Sequence, residues 1–123
     1  MATQQDLSLD YLRGEAQGLH KSIQAAMKVA ETAARVELFK KVLAAAKHLH
    51  TKLNEAIAIH EAERKQHLKQ AATSIATIVA LQNAAAHKQE TDDMLKAAHD
   101  AVEHISEAVA AERGHGARTK TFN

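Results

Sequence analysis

Ile59-His60-Glu61-Ala62-Glu63-Arg64-Lys65-Gln66-His67 is the stretch on which the architecture depends. It contains no glycine or proline, and its Glu, Ala, Arg, Lys and Gln all favour helix, so nothing local forces the chain to reverse. If the chain turns here, the product is a four-helix bundle. If it runs through, three helices result and the middle one extends from about residue 33 to residue 89. At 1.5 Å per residue that helix would be about 85 Å long, against a radius of gyration of roughly 14 Å for a compact domain of this size.

On the N-terminal side of this stretch, Phe39, Val42, Ala46, Leu49, Leu53, Ala56 and His60 recur at 3-4-3-4-3-4 spacing. This alternation keeps one apolar seam facing a partner helix. Further back, Leu9, Leu12, Ala16, Leu19, Ile23, Ala26 and Ala30 repeat the same rhythm. On the C-terminal side, Leu68, Ala72, Ile75 and Val79, with Ile78 and Leu81 beside them, mark a third amphipathic segment, and Leu95, Ala98, Val102, Ile105 and Val109 mark a fourth.

Alanine fills 27 of the 123 positions and proline none, while β-branched residues fall at helical spacing and no Asn-Gly or Asp-Gly pair separates apolar runs. The expected fold is therefore all-α, without strands: an antiparallel bundle of three to four long amphipathic helices, or an extended helical hairpin with a long central helix. Thr91 followed by Asp92 and Asp93 reads as an N-cap with acids in the first turn, which places a helix start at about Asp92. Thr32 is the cap candidate for the second segment. Residues 1–113 form one helical domain on this reading, and residues 114–123, with Gly114 and Gly116, leave the helix as a flexible basic arm. Gly14 and Gly18 either admit another backbone closely or are simply tolerated in the first helix.

Several functions are poorly provided for. The absence of cysteine excludes disulfides, thiolate zinc and iron–sulfur ligation, and thiol nucleophiles. Ser8, Ser22, Ser74 and Ser106 stand in no glycine-rich elbow, and no glycine loop is available to cradle phosphate. With Tyr11, Phe39 and Phe122 as the only aromatics there is no stacking platform for bases or heterocyclic cofactors. Neither an enzyme nor a bound cofactor is expected. The first residues lack a signal-peptide pattern, and the apolar run Ala71–Leu81 is too short to span a bilayer, so the chain reads as soluble and cytoplasmic, or associated with a larger assembly such as a virion or scaffold.

Nine histidines are the most unusual feature of the composition. No two are four apart, and the Glu-x-x-His pair of di-iron bundles occurs only at Glu112/His115. The remaining metal candidates are His60 and His67, one heptad apart, which either meet their symmetry mates across an oligomer or serve as polar seam residues that fix register. The last helix adds the carboxylate-flanked pairs His99/Glu103 and Asp100/His104. His48 and His50 project about 200° apart and cannot bind one ion from the same face.

Charge is unevenly placed. Residues 35–69 carry eight bases and four acids, residues 70–112 two and seven, and residues 113–123 three bases and no acid. Packing of the basic middle against the acidic last helix, within one chain or between two, is the preferred account; a phosphate-binding ladder of Lys40, Lys41, Lys47, Lys52, Arg64, Lys65 and Lys69 would need most of these on one face. Nucleic acid is therefore an unlikely partner, and no membrane is expected. Alanine-rich seams bury little area per turn, which favours sharing them between subunits. The expected role is a non-enzymatic assembly or adaptor protein, homo-oligomeric or bound to a protein partner through Leu9, Leu12, Leu19, Ile23, Phe39, Val42, Leu49, Leu53, Leu95, Val102, Ile105 and Val109, with Arg113, Arg118 and Lys120 on the arm reaching an acidic surface. A metal- or ligand-binding bundle using the seam histidines is the alternative, and a basic nucleic-acid binder is the third.

Overall fold

A computed structural model describes residues 8–82 and 87–122, with side chains for all of these except 62 and 113–122. Four helices follow one another: α1 (Leu9–Met27), α2 (Thr32–Ile59), α3 (Ala62–Ala80) and α4 (Lys88–Phe122). The described residues contain no strand.

Each boundary has a physical cause. Ser8 begins α1 from an extended conformation, and its Oγ accepts a hydrogen bond from the Tyr11 N–H at 3.2 Å. After Met27 the N–H groups of Lys28 and Val29 bond back three residues to Ala25 and Ala26, which tightens the last turn. The Arg35 guanidinium then donates to the Val29 carbonyl at 3.4 Å, so the reversal is stabilised by a side chain from the first turn of α2 and not by glycine. Thr32 is the first residue of α2, one place past the capping position, which Glu31 occupies without a side-chain hydrogen bond.

The long central helix does not form. His60 and Glu61 both adopt extended backbone angles, φ −95°, ψ 158° and φ −99°, ψ 152°, and reverse the chain in two residues. Glu61 makes no side-chain cap bond as Ser8 does; the His60 N–H bonds back to Ala56 at the end of α2, and the Lys65 N–H bonds to the Glu61 carbonyl at the start of α3. Burial therefore selects this turn. Leu53 and Ala56 before it and Leu68 after it are all fully inaccessible to solvent, which an unbroken rod would leave exposed.

Helix α4 also differs from expectation at both ends. It begins at Lys88, a turn before the expected start. Thr91 is inside the helix and buried, with its hydroxyl donating back to the His87 carbonyl at 3.1 Å, so the helix start lies before it. At the other end the backbone stays helical to Phe122, through Gly114 and Gly116, where an irregular arm was expected. Each glycine costs about 1 kcal/mol relative to alanine but ends a helix only when it adopts a left-handed conformation. The side chains of Arg113, Arg118 and Lys120 lie outside the described ones.

The helices close into a ring. Helix α1 packs against α2 and α4, and α3 packs against α2 and α4, while the diagonal pairs α1/α3 and α2/α4 make no close backbone approach. Short connections make neighbours antiparallel, and α4 returns beside α1. Most of the seam residues meet inside this ring. Leu9, Leu12, Leu19, Ile23, Phe39, Val42, Leu49, Leu53, Ile105 and Val109 are buried, and Leu95 and Val102 are half-buried against them. The heptads thus face one another within one chain, so the surface they were expected to offer a partner is already used.

Gly14 and Gly18 have open space around them: a Cβ on either would meet nothing within 4 Å. Close packing is not their role. Gly14→Ala and Gly18→Ala should each raise stability by about 0.5–1 kcal/mol, and the double variant should melt several degrees higher by circular dichroism.

Candidate functional site

Two surfaces concentrate chemistry: the groove between α1 and α4, and the charged sides of the ring.

The groove follows from the width of the α4 apolar stripe. Met94, Ala98, Ala101, Ile105 and Ala108 fill the core at 4-3-4-3 spacing. Leu95 and Val102, one heptad apart, lie on the flank of this stripe, half-buried, at the floor of two adjoining depressions of about 750 Å³ and about 500 Å³. Gln17, His20, Lys21 and Gln24 form the α1 wall of the larger one, and His20, His99 and Glu103 are shared by both. The lining is a mixture of apolar floor, uncharged amides, two histidines and a mostly acidic rim on α4 that also holds Lys96, with Lys21 opposite on α1.

His20 and His99 face each other across the groove, edge to face, with ring centroids 6.0 Å apart. His99 Nε2 lies 3.2 Å from Glu103 Oε1, so one of the two carboxylate-flanked pairs read from sequence is in contact. The other is not: Asp100 turns to Lys96 at 3.9 Å, and His104 Nδ1 lies 3.2 Å from Glu107. Partial burial holds the His20 pKa below its usual 6.5, and the charge of His99 depresses it further. The consequence for stability has a definite sign. Above pH 6.5 neither state is protonated at this group; as the pH falls through 6.5 the unfolded chain takes up a proton that folded His20 resists, and stability declines until the lower folded value is reached. In urea titrations between about pH 7.5 and 5, His20→Gln should lose part of the acid-side decline; an unchanged profile would remove His20 as its source.

His60 and His67, the metal candidates, are not brought together. The turn places His60 at the end of α2 and His67 on α3, so the heptad spacing that related them on one helix no longer applies. His67 faces α4, its Nδ1 3.7 Å from Glu107 Oε2, beyond hydrogen-bonding distance and buried without a hydrogen-bond partner. Among the described residues no group of three His, Asp or Glu is arranged to hold a metal ion.

The lysine ladder is dispersed. Lys52 is buried, with Nζ donating to the Tyr11 hydroxyl at 2.9 Å, 3.6 Å from Glu15 and 4.4 Å from the Tyr11 ring centre; it fastens α2 to α1. Arg64 is half-buried. Lys40, Lys41, Lys47 and Lys69 remain exposed.

Charge is separated across the ring. Helices α2 and α3 together carry eight Lys/Arg against three Asp/Glu, and residues 88–112 of α4 carry two against seven. The expected mutual neutralisation fails for α2, because it sits diagonally from α4. Between helices, Lys52 pairs with Glu15 and His67 lies beside Glu107.

No family model, curated protein or solved structure matches this chain. Among the described residues no helix is long and apolar enough to cross a membrane.

Proposed function

We propose that the chain is a non-enzymatic assembly protein that associates with further copies of itself through oppositely charged sides of its bundle. The observation that carries this reading is the placement of basic α2, with five Lys/Arg against two Asp/Glu, diagonally from acidic α4, with no close backbone approach between the two. A molecule with net charge +1 has little overall repulsion between copies, while its two sides attract one another when copies stack. The buried seam residues take no part in this association, because they form the core of the single chain; half-buried Leu95 and Val102 alone among the named seam residues reach the groove.

Sedimentation velocity over a hundredfold range of concentration, at about 20 mM and about 500 mM salt, tests the reading. Mass rising with concentration at low salt, and returning to that of one chain at high salt, is the expected result. A single-chain mass under every condition would overturn it.

A further inference from the structure

We propose a specific docking, which rests on the self-association reading above: the outer ridge of α2 in one copy seats in the α1/α4 groove of the next. The ridge is defined by the helix period. The α2 core stripe is Phe39, Val42, Ala46, Leu49, Leu53 and Ala56, and at 100° per residue the outward face on its α3 side is Lys40, Ala44, Lys47 and Thr51, all exposed. This ridge is thin. Ala44 ends at Cβ, and the Thr51 hydroxyl donates to the Lys47 carbonyl at 3.2 Å, its hydrogen bond satisfied within the helix. Lys47 has no acidic partner among the described residues, and Lys40 has only the exposed Glu37 of its own helix.

The groove is the complementary shape. Two helices flank a floor made by Val102 and Leu95, and such a furrow accepts the small-residue ridge of a third helix in the manner of knobs entering holes. Its rim holds Asp92, Asp100, Glu103 and Glu107 against Lys21 and Lys96, a net negative edge where the ridge is basic. Asp100 and Glu107 are seven residues apart on α4, about 10 Å along the axis, the same interval that separates Lys40 from Lys47 on α2. Glu103 lies between them, 65% exposed.

The geometry of the ring determines the kind of assembly. Because α2 is diagonal to α4, a copy that docks its ridge leaves its own groove open to the next. The contact is heterologous, so copies add head to tail and produce a ring if the rotation closes or a filament if it does not.

Two charge-reversed variants test this. Lys40→Glu/Lys47→Glu carries an acidic ridge and an acidic groove; Asp100→Lys/Glu103→Lys carries a basic groove and a basic ridge. Each alone should sediment as a single chain where the wild type associates, and an equimolar mixture should associate again, since every ridge then faces a groove of opposite charge. Wild-type association that persists in both variants overturns the docking and leaves self-association standing, whereas a wild type that never associates removes both. Ala44→Trp, at an exposed position, keeps the test independent of charge. It should raise the dissociation constant at least about tenfold with helicity unchanged, and undiminished association in this variant would also overturn the docking.

Discussion

Replacing Ile105 by alanine is expected to lower the stability of the fold by about 3–4 kcal/mol and its melting temperature by roughly 10–15 °C. Ile105 lies on α4 with no solvent exposure, one of eight large side chains that are fully inaccessible among the described residues. The other positions of the core are unusually small: ten of its 24 apolar residues are alanine. Removing the branched side chain leaves a cavity that the neighbouring alanines cannot reach across to fill, so the loss of transfer free energy and the cavity term add. Leu95→Ala, on the half-buried flank of the same helix, removes as many carbon atoms but should cost less than half as much, because solvent and groove relax around it. Urea unfolding at high salt, where association does not contribute, compares the two. Equal losses at both sites would show that the interior collapses freely around Ile105.

Three of the four seams were legible because their buried residues are large and evenly spaced. Six of the seven residues of each of the first two runs are buried in the structure, and both runs lose their last member, Ala30 and His60, where the helix ends. The α4 seam was misread for a physical reason. Leu95 and Val102 are larger than Ala101 and Ala108, so a reading weighted by side-chain size selects the flank, while the ring closes where the small residues permit close approach. The turn at His60-Glu61 had no local signal, since what selects it is burial of Leu53 and Leu68 on opposite sides of it. The groove was less legible still. His20 stands beside Leu19 at the edge of the first seam and gives no sign in sequence that it faces His99, because the pairing of α1 with α4 exists only once the ring has closed. The charge imbalance, by contrast, was plain in sequence; its meaning changed when α2 and α4 were placed on a diagonal.

The alanines are as necessary as the isoleucines, and enlarging one of them should be nearly as damaging as truncating Ile105. Ala101 is completely inaccessible on the face of α4 that meets the rest of the bundle, and α4 packs against both α1 and α3. Ala101→Leu inserts three carbon atoms into an interior that is already close-packed, so either the new side chain leaves its preferred rotamer or α4 moves away from two neighbours together. A loss of about 3 kcal/mol is expected, at the upper end for overpacking because there is no flexible long side chain at this position to give way. Ala76→Leu is the matched control: the same substitution at an exposed site on α3 should change stability by no more than about 0.5 kcal/mol. Thermal and urea unfolding of the two variants, with amide chemical shifts to detect displacement of α4, distinguish the cases. An Ala101→Leu protein as stable as the control would mean that α4 can stand further from the core, and the groove whose width depends on that distance would have to be redrawn.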